Sequence, residues 1–189
     1  MPLDESRIVK LLTGYMTLYP DEMAALMPLY NAIGSHIREG GVCLHLDSCP
    51  RVAAGALVVD EHDRVLALWE SHYSRWVLPR LLPHAADASL YDTAERAAKA
   101  TTAIGDVYRP ISVTGPVDVS FHRQRLGSEA RLSYSFHFLF RSYSYELPQQ
   151  GAHIQWREIG EVVPPRISHR LSTEYLTDSR WHRYSGLAV

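Results

Sequence analysis

Apolar positions change their period twice along this chain. Between residues 5 and 18, Ile8, Leu11, Leu12, Tyr15 and Met16 recur every three to four residues, and after Pro20-Asp21 the spacing returns in Met23, Leu26, Met27, Leu29, Tyr30, Ile33 and Ile37. Such spacing lines one face of a helix, so two helices are predicted, the second ended by Gly40-Gly41. From Arg51 the period shifts. Residues 52–59 form a continuous apolar run of strand length, Glu61-His62-Asp63-Arg64 makes a turn, 65–69 a second strand, and Trp76-Val77-Leu78 a short third before Pro79. Ser89 then suits the N-cap of a helix over about 90–103, with Asp92 in its first turn. Beyond Gly105 the strand pattern returns at 107–113, 116–123, 131–142 and 153–158, followed by a helical segment near 168–183. Mixed strands with one central helix and helices at both ends predict an α/β or α+β fold with the sheet covered on both faces. Residues 1–41 read as a helical arm and 42–189 as the main domain, together one compact unit. The arm either packs on the main domain or forms a contact in a homodimer.

Composition narrows the classes. With 189 residues, 46% hydrophobic and 21% charged, the chain is long enough for a real core. A formal charge of −2 with mixed signs gives no electrostatic argument for nucleic acid or an anionic membrane surface, so small-molecule or protein partners are expected. No apolar run approaches the roughly 20 residues of a membrane-spanning helix, and Met1-Pro2-Leu3-Asp4-Glu5 lacks the basic and apolar start of a signal peptide, which predicts a cytoplasmic protein. Cys43-Leu44-His45-Leu46-Asp47-Ser48-Cys49 places four potential ligands close together. It lacks the Cys-x-x-Cys spacing and a second ligand pair, so it reads as two reduced thiols.

The order strand, turn, strand, Trp76-Val77-Leu78-Pro79, loop with Asp87-Ala88-Ser89-Leu90, helix with Glu95-Arg96, then Ile104-Gly105 resembles the Nudix hydrolase family over residues 5–165. Gly115-Pro116-Val117-Asp118-Val119, Phe138-Leu139-Phe140-Arg141 and Trp156-Arg157-Glu158-Ile159 extend the resemblance. It implies a Nudix-like α/β/α sandwich around a mixed sheet. In that family the helix carries an Arg-Glu pair and two further glutamates one turn on, which hold a divalent cation against a diphosphate. Hard cations need such grouped oxygens. With Arg96 as the motif arginine, the three acidic positions fall on Ala97, Ala100 and Thr101, the two glycines on Arg80 and Leu81, and the loop acid near His84. A one-residue shift restores nothing, since Glu95 then comes with Ala98 and Lys99. No metal and no other cofactor is expected. Leu90, Ala94, Ala97, Thr101 and Ile104 instead make a small apolar stripe, with Asp92–Arg96 and Glu95–Lys99 as surface pairs.

Candidate chemistry moves elsewhere. Period-two alternation puts Leu132, Tyr134, Phe136, Phe138 and Phe140 on one face of a strand and Ser133, Ser135 and His137 on the other. The preceding strand sets Val117, Val119 and Phe121 against Asp118, Ser120 and His122. If the two pair, one face holds two histidines, an aspartate and three serines, which is either a solvated sheet face or the pocket wall that the resemblance implies. Histidine serves as acid or base near neutral pH, so His122 and His137, with His84 and Asp87 in the loop, are the catalytic candidates. Arg80 and Arg96 are anion contacts, and Trp76, Tyr134 and Ser135 complete a substrate-binding set. No Gly-x-Ser-x-Gly elbow supports a serine triad.

These residues point to a Nudix-like enzyme acting on a small molecule without the family metal, through His/Asp/Tyr acid–base groups, in a setting such as specialised biosynthesis. A non-catalytic ligand-binding or regulatory protein is the alternative. A third reading is a metal-dependent diphosphate hydrolase with replacement ligands at His84, Asp87, Asp92 and Glu95.

Overall fold

A computed structural model describes residues 5–38, 50–102, 104, 106–126, 129–143 and 153–176. The Cys43 to Cys49 segment and the predicted helix beyond residue 176 lie outside the described residues. Two helices open the chain, α1 (Glu5–Leu18) and α2 (Met23–Arg38), joined by a 3-10 turn at Pro20–Glu22. Strands β1 (Arg51–Val59), β2 (Arg64–Glu70), β3 (Arg75–Val77) and β4 (Arg80–Leu81) precede α3 (Leu90–Thr102). Then come β5 (Asp118–Leu126), β6 (Glu129–Arg141), β7 (Ile154–Glu158), α4 (Ile159–Val162), α5 (Pro165–Arg170) and a π-helical turn, Leu171–Tyr175.

The seven strands make one mixed sheet in the order β3-β2-β1-β6-β5, with β4 pairing β1 and β7 pairing β2. The β1–β6 pair is parallel, aligning Arg51 with Ser133 through Val59 with Arg141, and the other pairs are antiparallel. Asp60 fixes the β1–β2 turn. Its Oδ1 accepts from the backbone N–H of His62 (2.9 Å) and Arg64 (2.8 Å), while Asp63 takes a left-handed φ of 57°.

The alternation along β6 sorts the two faces. Tyr134, Phe136, Phe138 and Phe140 are buried with Leu90, Ala94 and Ala98 of α3 and with Leu12, Tyr15, Leu26 and Leu29 of the first two helices. Burying each such side chain stabilises by about 1.5–3 kcal/mol. Leu57, Val59, Val65, Val117 and Leu139 line the opposite face and pack under Ile159, Val163, Ile167 and Leu171 from the C-terminal helical segments. The fold is thus α+β, a mixed sheet with helices on both sides.

Three elements differ from the sequence expectation. Residues 107–113 do not form a strand. Tyr108 makes a single bridge to Arg141, and the segment then turns at Pro110, where Val113 N–H donates to the Pro110 carbonyl at 3.1 Å. Proline has no N–H to give a ladder. The two-residue β4, directly after Pro79, is additional. The C-terminal helical segment starts earlier than expected, with Pro165 suited to a first helical turn.

Candidate functional site

Strand register assembles the polar face of the sheet. Across β5 and β6, Asp118 pairs with His137, Ser120 with Ser135, and His122 with Ser133. Across β6 and β1, His137 lies opposite Gly55 and Ser135 opposite Ala53, while Gly55 pairs on its other side with Arg80 of β4. Paired residues project to the same side, so one row runs Arg80, Gly55, His137, Asp118. This is no solvated face: Asp118 is fully buried, Ser135 is 1% exposed and His137 8%.

Gly55 is what lets the imidazole lie there. A Cβ at that position would stand 2.5 Å from His137 Cδ2, 3.0 Å from Nε2 and 3.2 Å from the Pro79 carbonyl oxygen. On its other edge the ring places Nδ1 3.0 Å from Asp118 Oδ2. Because a carboxylate only accepts, Nδ1 carries the hydrogen and Nε2 is left to take or give a proton. Asp118 is held in turn, its Oδ1 accepting from Arg166 Nη2 of α5 at 2.6 Å. An aspartate that orients a histidine through Nδ1 is the arrangement by which many enzymes present a general base.

His122 lies four residues along β5 from Asp118 toward the hairpin end, with the Ser120–Ser135 pair between them on this face, and is half-buried. Burial pushes its imidazole below the ordinary histidine value, and the positive charges of Arg80 and Arg75 push the same way. The Ser135 hydroxyl oxygen is buried without a hydrogen-bond partner among the described residues. Orphaned buried hydroxyls are uncommon in folded proteins.

The loop candidates form a second, separate group at the start of α3. Asp87 is buried, and its carboxylate accepts from Arg96 Nε (2.9 Å) and Nη2 (2.6 Å), from Thr93 Oγ1 (2.8 Å) and from the His84 backbone N–H (2.7 Å). The Arg96 hydrogen bonds chiefly hold this carboxyl far below the usual aspartate range against the effect of burial. Arg96 also donates to the Leu82 carbonyl at 3.0 Å. Its partner is therefore the loop residue Asp87 and not Asp92 on its own helix, whereas Glu95 pairs with Lys99 at 2.6 Å as the spacing suggests. The His84 ring is exposed, its Nδ1 accepting from Ala86 N–H at 3.2 Å.

The donor set around α3 does not fit a divalent cation. Ala97 is fully buried, and neither it nor Ala100 carries a side-chain oxygen to offer. Ala100 lines a shallow depression of about 460 Å³ with Asp92, Glu95, Arg96 and Lys99, a set of mixed sign in which Glu95 is already paired. Among the described residues no three His, Cys, Asp or Glu side chains are grouped as a metal ion would need.

Two further candidates stand apart from the histidines. Tyr134 is 1% exposed on the opposite, core face, its ring 5.9 Å from that of Phe121. Trp76 lies on the edge strand β3 against Trp69 (5.3 Å), with the Arg157 guanidinium 5.2 Å from its ring. Sequence reasoning did not select Gly55, Arg166 or a specific partner for His137. An antiparallel register between 118–122 and 133–137 would have matched Asp118 to His137, because the two segments flank one short connection. The approach of Arg166, 48 positions away, leaves no mark in local pattern.

No protein-family model matches this sequence, and no curated protein does. Among solved structures the chain is similar to a Nudix-family hydrolase from Clostridium perfringens, at 12% identity over 65% of this chain and 94% of that one, with a TM-score of 0.47. It is likewise similar to the Ap4A hydrolase of C. elegans, at 13% identity over 65% and 93% with a TM-score of 0.46. The NUDIX domain of Shewanella oneidensis NrtR, complexed with ADP ribose, aligns at 15% identity over 66% and 81%, with a TM-score of 0.42. The likeness lies in the fold.

Proposed function

We propose that this chain is an enzyme with a Nudix-like fold that acts on a small molecule by acid–base chemistry and does not use the divalent cation of that family. The observation that carries this reading is the His137–Asp118 pair, a buried histidine held through Nδ1 at 3.0 Å on a polar sheet face. His137 acts as the proton-transferring group, Asp118 positions it, and His122 is a second acid–base group, favoured in its neutral form by its surroundings. Ser135, with its unpartnered hydroxyl, provides a hydrogen bond to substrate, and Arg80, in the same row as His137, a cationic contact for an anionic group of it. Asp87 and Arg96 are assigned a different role from the one their sequence position suggests. With all four of its hydrogen bonds made inside the protein, Asp87 braces the loop that ends in α3.

A crystal soak with a metabolite library, followed by turnover assays on each hit with and without EDTA, tests the reading. Ligand density over His122 and His137 is expected, with turnover that survives the chelator and falls by about 10²–10⁴-fold in His137→Gln at unchanged melting temperature. Turnover that needs Mg²⁺ or Mn²⁺, or that persists in His137→Gln, would overturn it.

A further inference from the structure

The His137–Asp118 pair is the end of a longer chain of charged groups that reaches the N-terminal arm. Asp118 Oδ1 accepts from Arg166 Nη2 at 2.6 Å, and Arg166 Nη1 donates to Glu22 Oε2, also at 2.6 Å. Glu22 Oε1 accepts from Arg170 Nη2 at 2.6 Å, and Oε2 from the Tyr15 hydroxyl at 2.7 Å. Arg170 Nη1 closes the group by donating to the Tyr15 oxygen and to the Val117 carbonyl, each at 2.8 Å. Asp118 is fully buried, Arg170 is 8% exposed at its side chain and Glu22 12%.

The formal charges of this network balance. Two carboxylates, Glu22 and Asp118, face two guanidiniums, Arg166 and Arg170. Tyr15 adds none, since burial and then the hydrogen bond to Glu22 raise its hydroxyl far above the usual tyrosine range. Burial opposes the Arg170 charge, but the hydrogen bonds to Glu22 and Tyr15 outweigh it. A buried carboxylate facing histidine alone would be neutralised most cheaply by an imidazolium. With Arg166 supplying the positive charge, the ring can be neutral and still donate Nδ1–H to Asp118. Among the described residues, Arg80, across Gly55, and the paired Ser135 and Ser120 are the other polar side chains in or next to this row, with His122 one same-face pair further along β5.

We propose that Arg166 of α5 and Glu22 of the arm are positioning residues for His137: together they set the charge at Asp118, and so the readiness of Nε2 to exchange a proton. This rests on the acid–base reading of His137 given above. The arm is then part of the active site, although Glu22 lies in the turn between its helices and touches no part of the sheet's polar face directly.

The charge argument gives a signed test. Histidine ¹⁵N NMR on the full chain reads the ratio of doubly protonated to neutral His137 near neutral pH, from whether Nε2 resonates as a protonated or an unprotonated nitrogen. Arg166→Met leaves the network one charge more negative, and the ratio should rise about three- to tenfold, since Arg166 is bonded to the carboxylate that holds His137 while its own side chain, 46% exposed, is partly screened by solvent. Glu22→Gln leaves it one charge more positive and should lower the ratio, by less because Glu22 is further away. Arg166→Lys should return the ratio toward wild type. A contact that only supports the fold would not move the two variants in opposite directions. Equal ratios, or shifts of the same sign, in variants with wild-type melting temperatures would overturn the positioning role. If Arg166→Met fails to fold, a lowered ratio in Glu22→Gln beside a near-wild-type ratio in the charge-preserving Arg166→Lys still carries the test, and an unchanged or raised ratio in Glu22→Gln overturns it. Turnover in His137→Gln is the separate check. Opposite shifts with turnover intact there would sink the acid–base reading, and unchanged ratios with turnover lost would sink only the positioning role.

Discussion

Gly55 and His137 face each other on parallel strands, and position 55 has to be without a side chain for the imidazole to reach Asp118. A methyl group there would press on two neighbours, His137 Cδ2 at 2.5 Å and the Pro79 carbonyl at 3.2 Å. The Pro79 oxygen accepts from Ala56 N–H at 2.8 Å and is part of the backbone. The ring is the softer of the two, so it moves. Turning it aside breaks the Nδ1 hydrogen bond and leaves a fully buried carboxylate with Arg166 as its remaining side-chain partner. Gly55→Ala should therefore cost about 1–3 kcal/mol from overpacking and abolish the hydrogen-bonded Nδ1–H resonance of His137. Urea denaturation and proton NMR check the two effects. A variant with wild-type stability and the resonance in place would show that the ring has another way to fit.

At the scale of elements, the loop into α3 is held by one carboxylate, and that makes its hold acid-sensitive. Asp87 has its carboxyl value depressed in the fold, mainly by Arg96. A depressed carboxylate contributes stability that is present above the unfolded value near 3.8 and is lost as pH falls through the folded one. The loss thus begins below about pH 4. Arg96→Met should destabilise by about 1–3 kcal/mol at pH 7, since it strands a buried carboxylate, and the gap to wild type should narrow as pH drops below 4. Urea midpoints at pH 7, 4 and 3 measure this, and a gap that stays constant with pH would refute the account. The same element shows what the sequence could and could not convey. Arg96 is legible as a special position because the Trp76 to Pro79 and Asp87 to Leu90 segments frame it. Its partner was expected at Asp92, from helical spacing, and lies instead at Asp87, because a loop can fold back where a pattern has no period. In β6 the alternation separated Phe136 from His137 correctly, since a strand has only two faces. Alternation says nothing of what covers a face, so the burial of Ser135 and the approach of Arg166 from α5 remained hidden. Residues 107–113 have strand-like apolar content, but Pro110 limits pairing to the bridge at Tyr108.

For the whole molecule, the question is where the core ends, and it does not end at residue 41. Leu12, Tyr15, Leu26 and Leu29 are at most 2% exposed and belong to the same cluster as Phe136 and Phe140 of the central sheet. Polar bonds cross the same boundary. Arg7 donates to the Ala88 carbonyl (2.8 Å), the Tyr19 hydroxyl donates to Glu174 (2.8 Å), and the Arg170 guanidinium stacks 3.4 Å from the centre of the Tyr19 ring. The apolar face of the arm, which could have served a homodimer, is used within the chain. Leu18, Met23 and Ile37 are the large apolar residues on these helices left exposed among those described. Four fully buried side chains at about 1.5–3 kcal/mol each amount to roughly the entire stability of an ordinary domain, about 5–15 kcal/mol. A chain shortened to begin after Arg38 would also expose Tyr134 and Phe136 to water and deprive Arg166 and Arg170 of Glu22. It should lack a cooperative thermal transition, lose its near-ultraviolet circular dichroism and bind a hydrophobic dye. A sharp transition within a few degrees of the full chain would mean that residues 50–176 make a self-sufficient core. The arm would then be an accessory, and the link from Glu22 to Asp118 an ornament on a site able to form without it.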